Sequence, residues 1–103
     1  MIHELRTYTI LPGKKAQFLE LAEREVPILE RIGIKVIGVW TTVIGRGQEV
    51  TLLLAFESLA DREKKWAILS SDPEGHKLVQ SYEPLHQYED NKILQPTAFS
   101  SLR

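Results

Sequence analysis

One short run constrains the fold more than any other. From Glu49 to Glu57 the residues Val50, Leu52, Leu54 and Phe56 fill one register, and Leu53 and Ala55 occupy much of the other. Side chains alternate across a strand, so this strand is expected to be buried on both faces. The preceding run, Ile34 to Ile44, is also apolar in both registers: Ile34, Val36 and Trp40 against Ile37, Val39 and Val43. Gly45-Arg46-Gly47 separates the two runs and predicts a hairpin. A sheet built on this hairpin needs cover on both sides.

Helices supply one cover. A first strand is expected over about Ile2 to Leu11, stopped by Pro12 and Gly13. A helix follows from about Lys14 to Arg31, because Phe18, Leu21, Ala22, Val26, Leu29 and Ile32 fall at helical spacing. Pro27 lies inside it, and Gly33 suits its C-terminal stop. Ser58 reads as the N-cap of a second helix ending near Ser70, with Leu59, Trp66 and Leu69 as inward anchors. Asp72-Pro73 opens a further short helix that ends near Pro84. A last strand is expected between Gln87 and Leu94. The order β-α-β-β-α-β is the ferredoxin-like arrangement, an α+β fold with a four-stranded antiparallel sheet. Right-handed crossovers put both helices on one face. The other face would be an exposed apolar patch larger than a soluble monomer normally carries. A second copy of the same sheet is the simplest cover, so a homodimer is expected.

Other features exclude function classes. The 103 residues make one domain. The net charge of −1, with no basic block, argues against a nucleic-acid partner. The absence of cysteine rules out thiol nucleophiles and thiolate metal sites and suits a reducing cytoplasm. No apolar run approaches the ~20 residues that cross a bilayer. Glu4 and Arg6 interrupt any leader at the N-terminus. His3, His76 and His86 show no ligand spacing, so no metal is expected. No glycine-rich phosphate loop and no Ser-His-Asp order is present, and no cofactor is expected.

Several short segments together resemble the NIPSNAP family. They are Glu4-Leu5-Arg6-Thr7-Tyr8 with Pro12-Gly13, Gly38-Val39-Trp40 with the Gly45 turn, and Ser58 to Arg62. Ser71-Asp72-Pro73 and the ending Ile93 to Ser100 complete the series, which spans nearly the whole chain. The resemblance implies the dimeric α/β-barrel group, in which two ferredoxin-like subunits form a barrel with a cavity in each half. That group includes cofactor-free oxygenases, haem-binding enzymes and lactone isomerases, and fold alone does not choose among them.

The candidate site begins with Glu4, Arg6 and Tyr8, which share one face of the first strand. If Leu5 and its register meet the helices, the three look into the barrel cavity. Arg6 would then clamp an anionic oxygen, with Glu4 and Tyr8 handling protons. The plainer alternative pairs Glu4 with Arg6 as a structural contact. Trp40 offers a flat wall and Gly38 the space beside it, which suits a planar ligand; core packing with a bulge at Gly38 is the alternative. His86 lies where it can approach the cavity mouth. The leading expectation is a small cytoplasmic dimer that binds a compact, partly apolar molecule, acting on it as an oxygenase- or isomerase-like enzyme. The competing expectation is a non-catalytic dimeric interaction module.

Overall fold

The computed structural model describes residues 1–103. Its elements follow the expected order: β1 (Ile2–Ile10), α1 (Lys15–Ile32), β2 (Lys35–Thr41), β3 (Glu49–Phe56), α2 (Leu59–Ser70), α3 (Pro73–Gln80) and β4 (His86–Leu94). The strands form one antiparallel sheet in the order β2-β3-β1-β4. This is the ferredoxin-like arrangement.

Local chemistry sets the helix ends. Gly33 adopts φ 102° and closes α1 with its N–H on the carbonyls of Glu30 and Leu29, a left-handed stop that only glycine takes without strain. Ser58 Oγ accepts the Asp61 N–H at 3.1 Å and starts α2. Asp72 does the same for α3 through the Gly75 N–H at 2.9 Å, with Pro73 in the first turn.

The molecule measures 41 × 37 × 19 Å. The short dimension holds one sheet and one layer of helices, since packed layers lie about 10 Å apart. The helices therefore cover one sheet face only. Residues paired across antiparallel strands share a face, and the covered face carries Ile2, Glu4, Arg6, Tyr8 and Ile10 beside Val50, Leu52, Leu54 and Phe56. Two apolar clusters fill it. Leu29, Ile34, Leu54 and Phe56 pack with Trp66 and Leu69 at one end. Ile10, Phe18, Val50, Leu52 and Leu85 pack with Tyr8 and Tyr82 at the other. Each fully buried side chain of this kind stabilises the fold by roughly 1.5–3 kcal/mol.

This assignment reverses one expectation. Glu4, Arg6 and Tyr8 lie under the helices, while His3, Leu5, Thr7 and Thr9 point to the open face. The reason is composition: the register of Leu5 is mostly polar, whereas that of Glu4 is anchored by Ile2 and Ile10 at its ends. His3, whose register with Leu5 suggested the helix side or an edge, stands on the open face, buried at 4% exposure and lining a cleft with Leu53, Leu94 and the tail residues Pro96 and Leu102. A further correction concerns Leu59, which is 58% exposed rather than inward, because it stands in the first turn of α2 beyond the edge of the core.

A bulge between Val36 and Gly38 splits the register of β2. Val36 stands beside Leu54 on the covered face, whereas Gly38 and Trp40 stand beside Leu53 and Thr51 on the open one. An extra residue in one strand turns everything after it to the other side. β4 is exposed along its whole length.

Candidate functional site

The covered face has a closed end and a hollow end. Glu4 sits at the closed end with 0% exposure. Its Oε2 accepts from Arg6 Nη1 at 2.5 Å, and its Oε1 accepts from Arg62 Nε at 2.6 Å and from Trp66 Nε1 at 3.2 Å. Burial works against the Glu4 charge, but the hydrogen bonds from Arg62, Arg6 and Trp66 outweigh it and hold the carboxyl below its ordinary pKa. Both guanidinium groups also lie over the Trp66 ring, Arg6 at 5.0 Å and Arg62 at 6.0 Å from its centroid. Both oxygens of this buried carboxylate are taken by the protein's own donors.

Arg6 links the two ends. Besides Glu4, it donates through Nε to the Tyr8 hydroxyl at 2.9 Å and through Nη2 to Glu89 at 2.6 Å. Burial opposes its charge, while Tyr8, Glu4 and Glu89 more than restore it. All three guanidinium nitrogens are engaged. The anion clamp expected of Arg6 therefore has no geometry here: Arg6 positions Tyr8 and Glu89.

Beyond Tyr8 the face opens into a cavity of about 330 Å³ between the sheet, α1, α3 and the connection to β4. That is the small end of the roughly 300–1,000 Å³ typical of ligand pockets. Phe18, Leu21 and Ala22 of α1 form one apolar wall, and Leu52 of β3 forms the floor with Tyr8. Val79 of α3, with Tyr82 and Leu85 of the connection, closes the opposite side. The Tyr8 ring lies 5.0 Å from that of Phe18 and 5.0 Å from His86, meeting the histidine edge-on. His86 reaches the cavity through a second irregularity. The β1–β4 register shifts between Thr9 and Ile10, which sets Tyr88 beside Thr9 and His86 beside Ile10. Without that shift the alternation of β4 would turn His86 to the open face.

The polar groups of the cavity are Tyr8, Glu25, Tyr82, Glu83, His86 and Glu89, and the Tyr82 hydroxyl is spent on Glu20. Glu83 is paired with Lys14. Glu89 is held by Arg6 and faces His86 Nε2 at 3.7 Å. Glu25 has neither a hydrogen bond nor an ion pair. Burial raises its pKa above the usual carboxylate range, and the charge of Arg6 only partly opposes the rise. Burial also raises Tyr8, against the charge and hydrogen bond of Arg6, so the phenol keeps its proton at neutral pH. Glu25 was missed in the sequence, although its signal is there. It falls three residues after Ala22 and four before Leu29, a charge in the middle of the apolar stripe of α1.

The structure divides the candidate residues accordingly. Tyr8 and His86 meet in the cavity, and Glu4 and Arg6 brace it from behind. Trp40 and Gly38 lie on the opposite face of the sheet. A Cβ built on Gly38 would stand 2.5 Å from the Trp40 indole, so the space beside that glycine holds the protein's own ring and no planar ligand. No set of His, Cys, Asp or Glu side chains is grouped to hold a metal ion, and no helix is long and apolar enough to cross a membrane.

A ferredoxin-like α+β domain with a half-enclosed cavity under its helices is the class defined so far. The chain belongs to the NIPSNAP family, whose model matches residues 3–101. Two solved relatives agree. A NIPSNAP-like domain protein from Burkholderia xenovorans is 36% identical, with a TM-score of 0.84 over 96% of this chain and 87% of its own. A NIPSNAP family protein from Agrobacterium tumefaciens is 32% identical, with a TM-score of 0.89 over 99% and 98%. A putative antibiotic biosynthesis monooxygenase from Bordetella bronchiseptica shares the fold alone, at 21% identity and a TM-score of 0.70 over 93% of this chain and 96% of its own. No curated protein matches the chain.

Proposed function

We propose that this protein binds a compact, partly apolar small molecule in the cavity between the sheet and helices α1 and α3. The observation that carries this reading is the cavity itself, apolar on the walls given by Phe18, Ala22 and Leu52, with Tyr8, Glu25 and His86 converging on it. Apolar walls give affinity and a few placed polar groups give orientation. The residues suited to act on a bound molecule are Glu25 and Tyr8, a carboxyl and a phenol able to exchange protons with it. That favours isomerase-like, cofactor-free chemistry over the role first expected of Glu4 and Arg6.

The working unit in this reading is a homodimer in the cytoplasm. Its support is the open sheet face, where Trp40 is 51% exposed and Leu94 is also exposed, together with the uncovered strand β4. A second copy would remove that surface from water.

Native mass spectrometry of freshly purified protein tests both parts. The expected result is twice the chain mass plus a reproducible small adduct. Ala22→Leu fills the cavity from α1 and is expected to keep the dimer and lose the adduct. An adduct retained equally by Ala22→Leu places the ligand elsewhere and overturns the cavity reading. A single-chain mass overturns the dimer.

A further inference from the structure

We infer that the cavity is selective for an organic cation, a protonated amine on a small apolar or aromatic body, and that Glu25 is the residue that pairs with it. The inference rests on the cavity reading above and adds the chemical class of its occupant.

Three observations carry it. First, apart from His86, the charged side chains of the lining are all acidic. Three carboxylates, Glu25, Glu83 and Glu89, face the cavity, and no lysine or arginine lines it. Arg6, behind the cavity, is spent on Glu4, Tyr8 and Glu89, and Lys14 is spent on Glu83. An anion entering here would meet three carboxylates and no lysine or arginine in the lining.

Second, the carboxylates are not equivalent. Glu83 and Glu89 already have cationic partners. Glu25 has none, though it is partly buried beside Leu21, Ala22 and Ile28. A carboxyl carried on an apolar helix stripe with no partner costs stability. A ligand ammonium would supply the missing partner and make a charge-assisted hydrogen bond.

Third, the walls are aromatic. Tyr8, Phe18 and Tyr82 line the same space as Glu25. Aromatic faces attract a cation through their quadrupole while still packing against its apolar body. Carboxylate and rings together favour ammonium over a neutral alcohol of the same shape, and favour both over a carboxylate.

Three probes built on one 2-phenylethyl body test the inference by isothermal titration calorimetry at neutral pH: 2-phenylethylammonium, 2-phenylethanol and 3-phenylpropionate. The ammonium is expected to bind at least about tenfold more tightly than the alcohol, and the propionate to give no saturable signal. Glu25→Gln should lower ammonium affinity by about tenfold and bring it level with the alcohol. Glu25→Asp keeps the charge and should keep the preference, which guards against a folding defect in the first variant; thermal melts report on both. Ala22→Leu should abolish binding of ammonium and alcohol alike.

The outcomes separate the two readings. Alcohol or propionate binding as tightly as ammonium, with Ala22→Leu still blocking it, overturns the cation selectivity and leaves the cavity as a binding site. A preference for ammonium that survives Glu25→Gln overturns the role of Glu25. No saturable signal from any probe overturns the selectivity together with the cavity reading on which it rests.

Discussion

Glu4 of β1 and Glu25 of α1 both face the layer between sheet and helices, Glu4 at its closed end and Glu25 at its hollow end, and their surroundings are opposite. Glu4 is fully buried and satisfied by Arg6, Arg62 and Trp66, and its carboxyl is held below the ordinary pKa. Glu25 is partly buried and unpaired, and burial pushes its carboxyl up. The difference teaches how to tell a structural acid from a functional one in this fold. The protein's own cations have closed the first site around Glu4. At the second they stop one residue short, at Glu89 and Glu83, and leave both a cavity and an acid without a partner.

The largest effect is expected at the closed end. Glu4→Gln keeps the shape of the side chain and removes the charge that faces two guanidinium groups. Breaking a buried pair from one side typically costs 3–5 kcal/mol; about 3 kcal/mol is expected here, because Arg6 and Arg62 retain Glu89 and Glu63. Urea denaturation measures it. A loss below 1 kcal/mol would break the contrast, making Glu4 no more structural than a surface acid.

The pH dependence should run in opposite directions at the two ends. The depressed Glu4 contributes stability that is complete above its ordinary value of 4.5 and is lost as pH falls through its folded value. The raised Glu25 works the other way. Its cost is complete above its folded pKa, fades as pH falls through that value, and is gone below the ordinary value of 4.5. Subtracting the stability curve of Glu25→Gln from that of wild type cancels the other carboxylates. The difference should shrink on going from neutral pH to pH 4. A constant difference would show that Glu25 does not titrate abnormally.

Trp66→Phe sharpens the closed end further. It removes the indole N–H on Glu4 and keeps a ring against Phe56, whose centroid lies 6.1 Å away. A loss of about 1 kcal/mol is expected, the net value of one buried hydrogen bond. The same substitution should leave ligand affinity unchanged, because Trp66 does not line the cavity.

The Glu4 side of this contrast was partly legible in the sequence, and what was not has physical causes. Alternation put Glu4, Arg6 and Tyr8 on one face, and they are on one face. It could not say which side of the sheet that face meets, because period 2 separates two faces without naming them. The acid and base under the helices are satisfied by Arg62 and Trp66, which lie far away in the sequence. The better guide was the company each register keeps, Ile2 and Ile10 with Glu4 against His3, Thr7 and Thr9 with Leu5. Two bulges were also invisible. One turned Trp40 and Gly38 away from Val36, and the other turned His86 into the cavity. A bulge changes the face of a side chain without changing its spacing.

The smallest effect carries the sharpest test of the contrast. Glu25→Gln removes an unpaired charge from an apolar helix stripe and keeps the volume of the side chain. If the fold tolerates Glu25 only for what it binds, the variant should be slightly more stable than wild type at neutral pH, with a melting temperature raised by a degree or more, while its ligand affinity falls. Stability gained as function is lost marks a residue held in place against the interest of the fold. An acid serving the fold would do the reverse, as Glu4 is expected to. Measured in the same buffer, the two glutamate-to-glutamine variants should move the melting temperature in opposite directions. If both lower it, Glu25 has a structural partner after all, and the hollow end of the sheet is built on the same terms as the closed one.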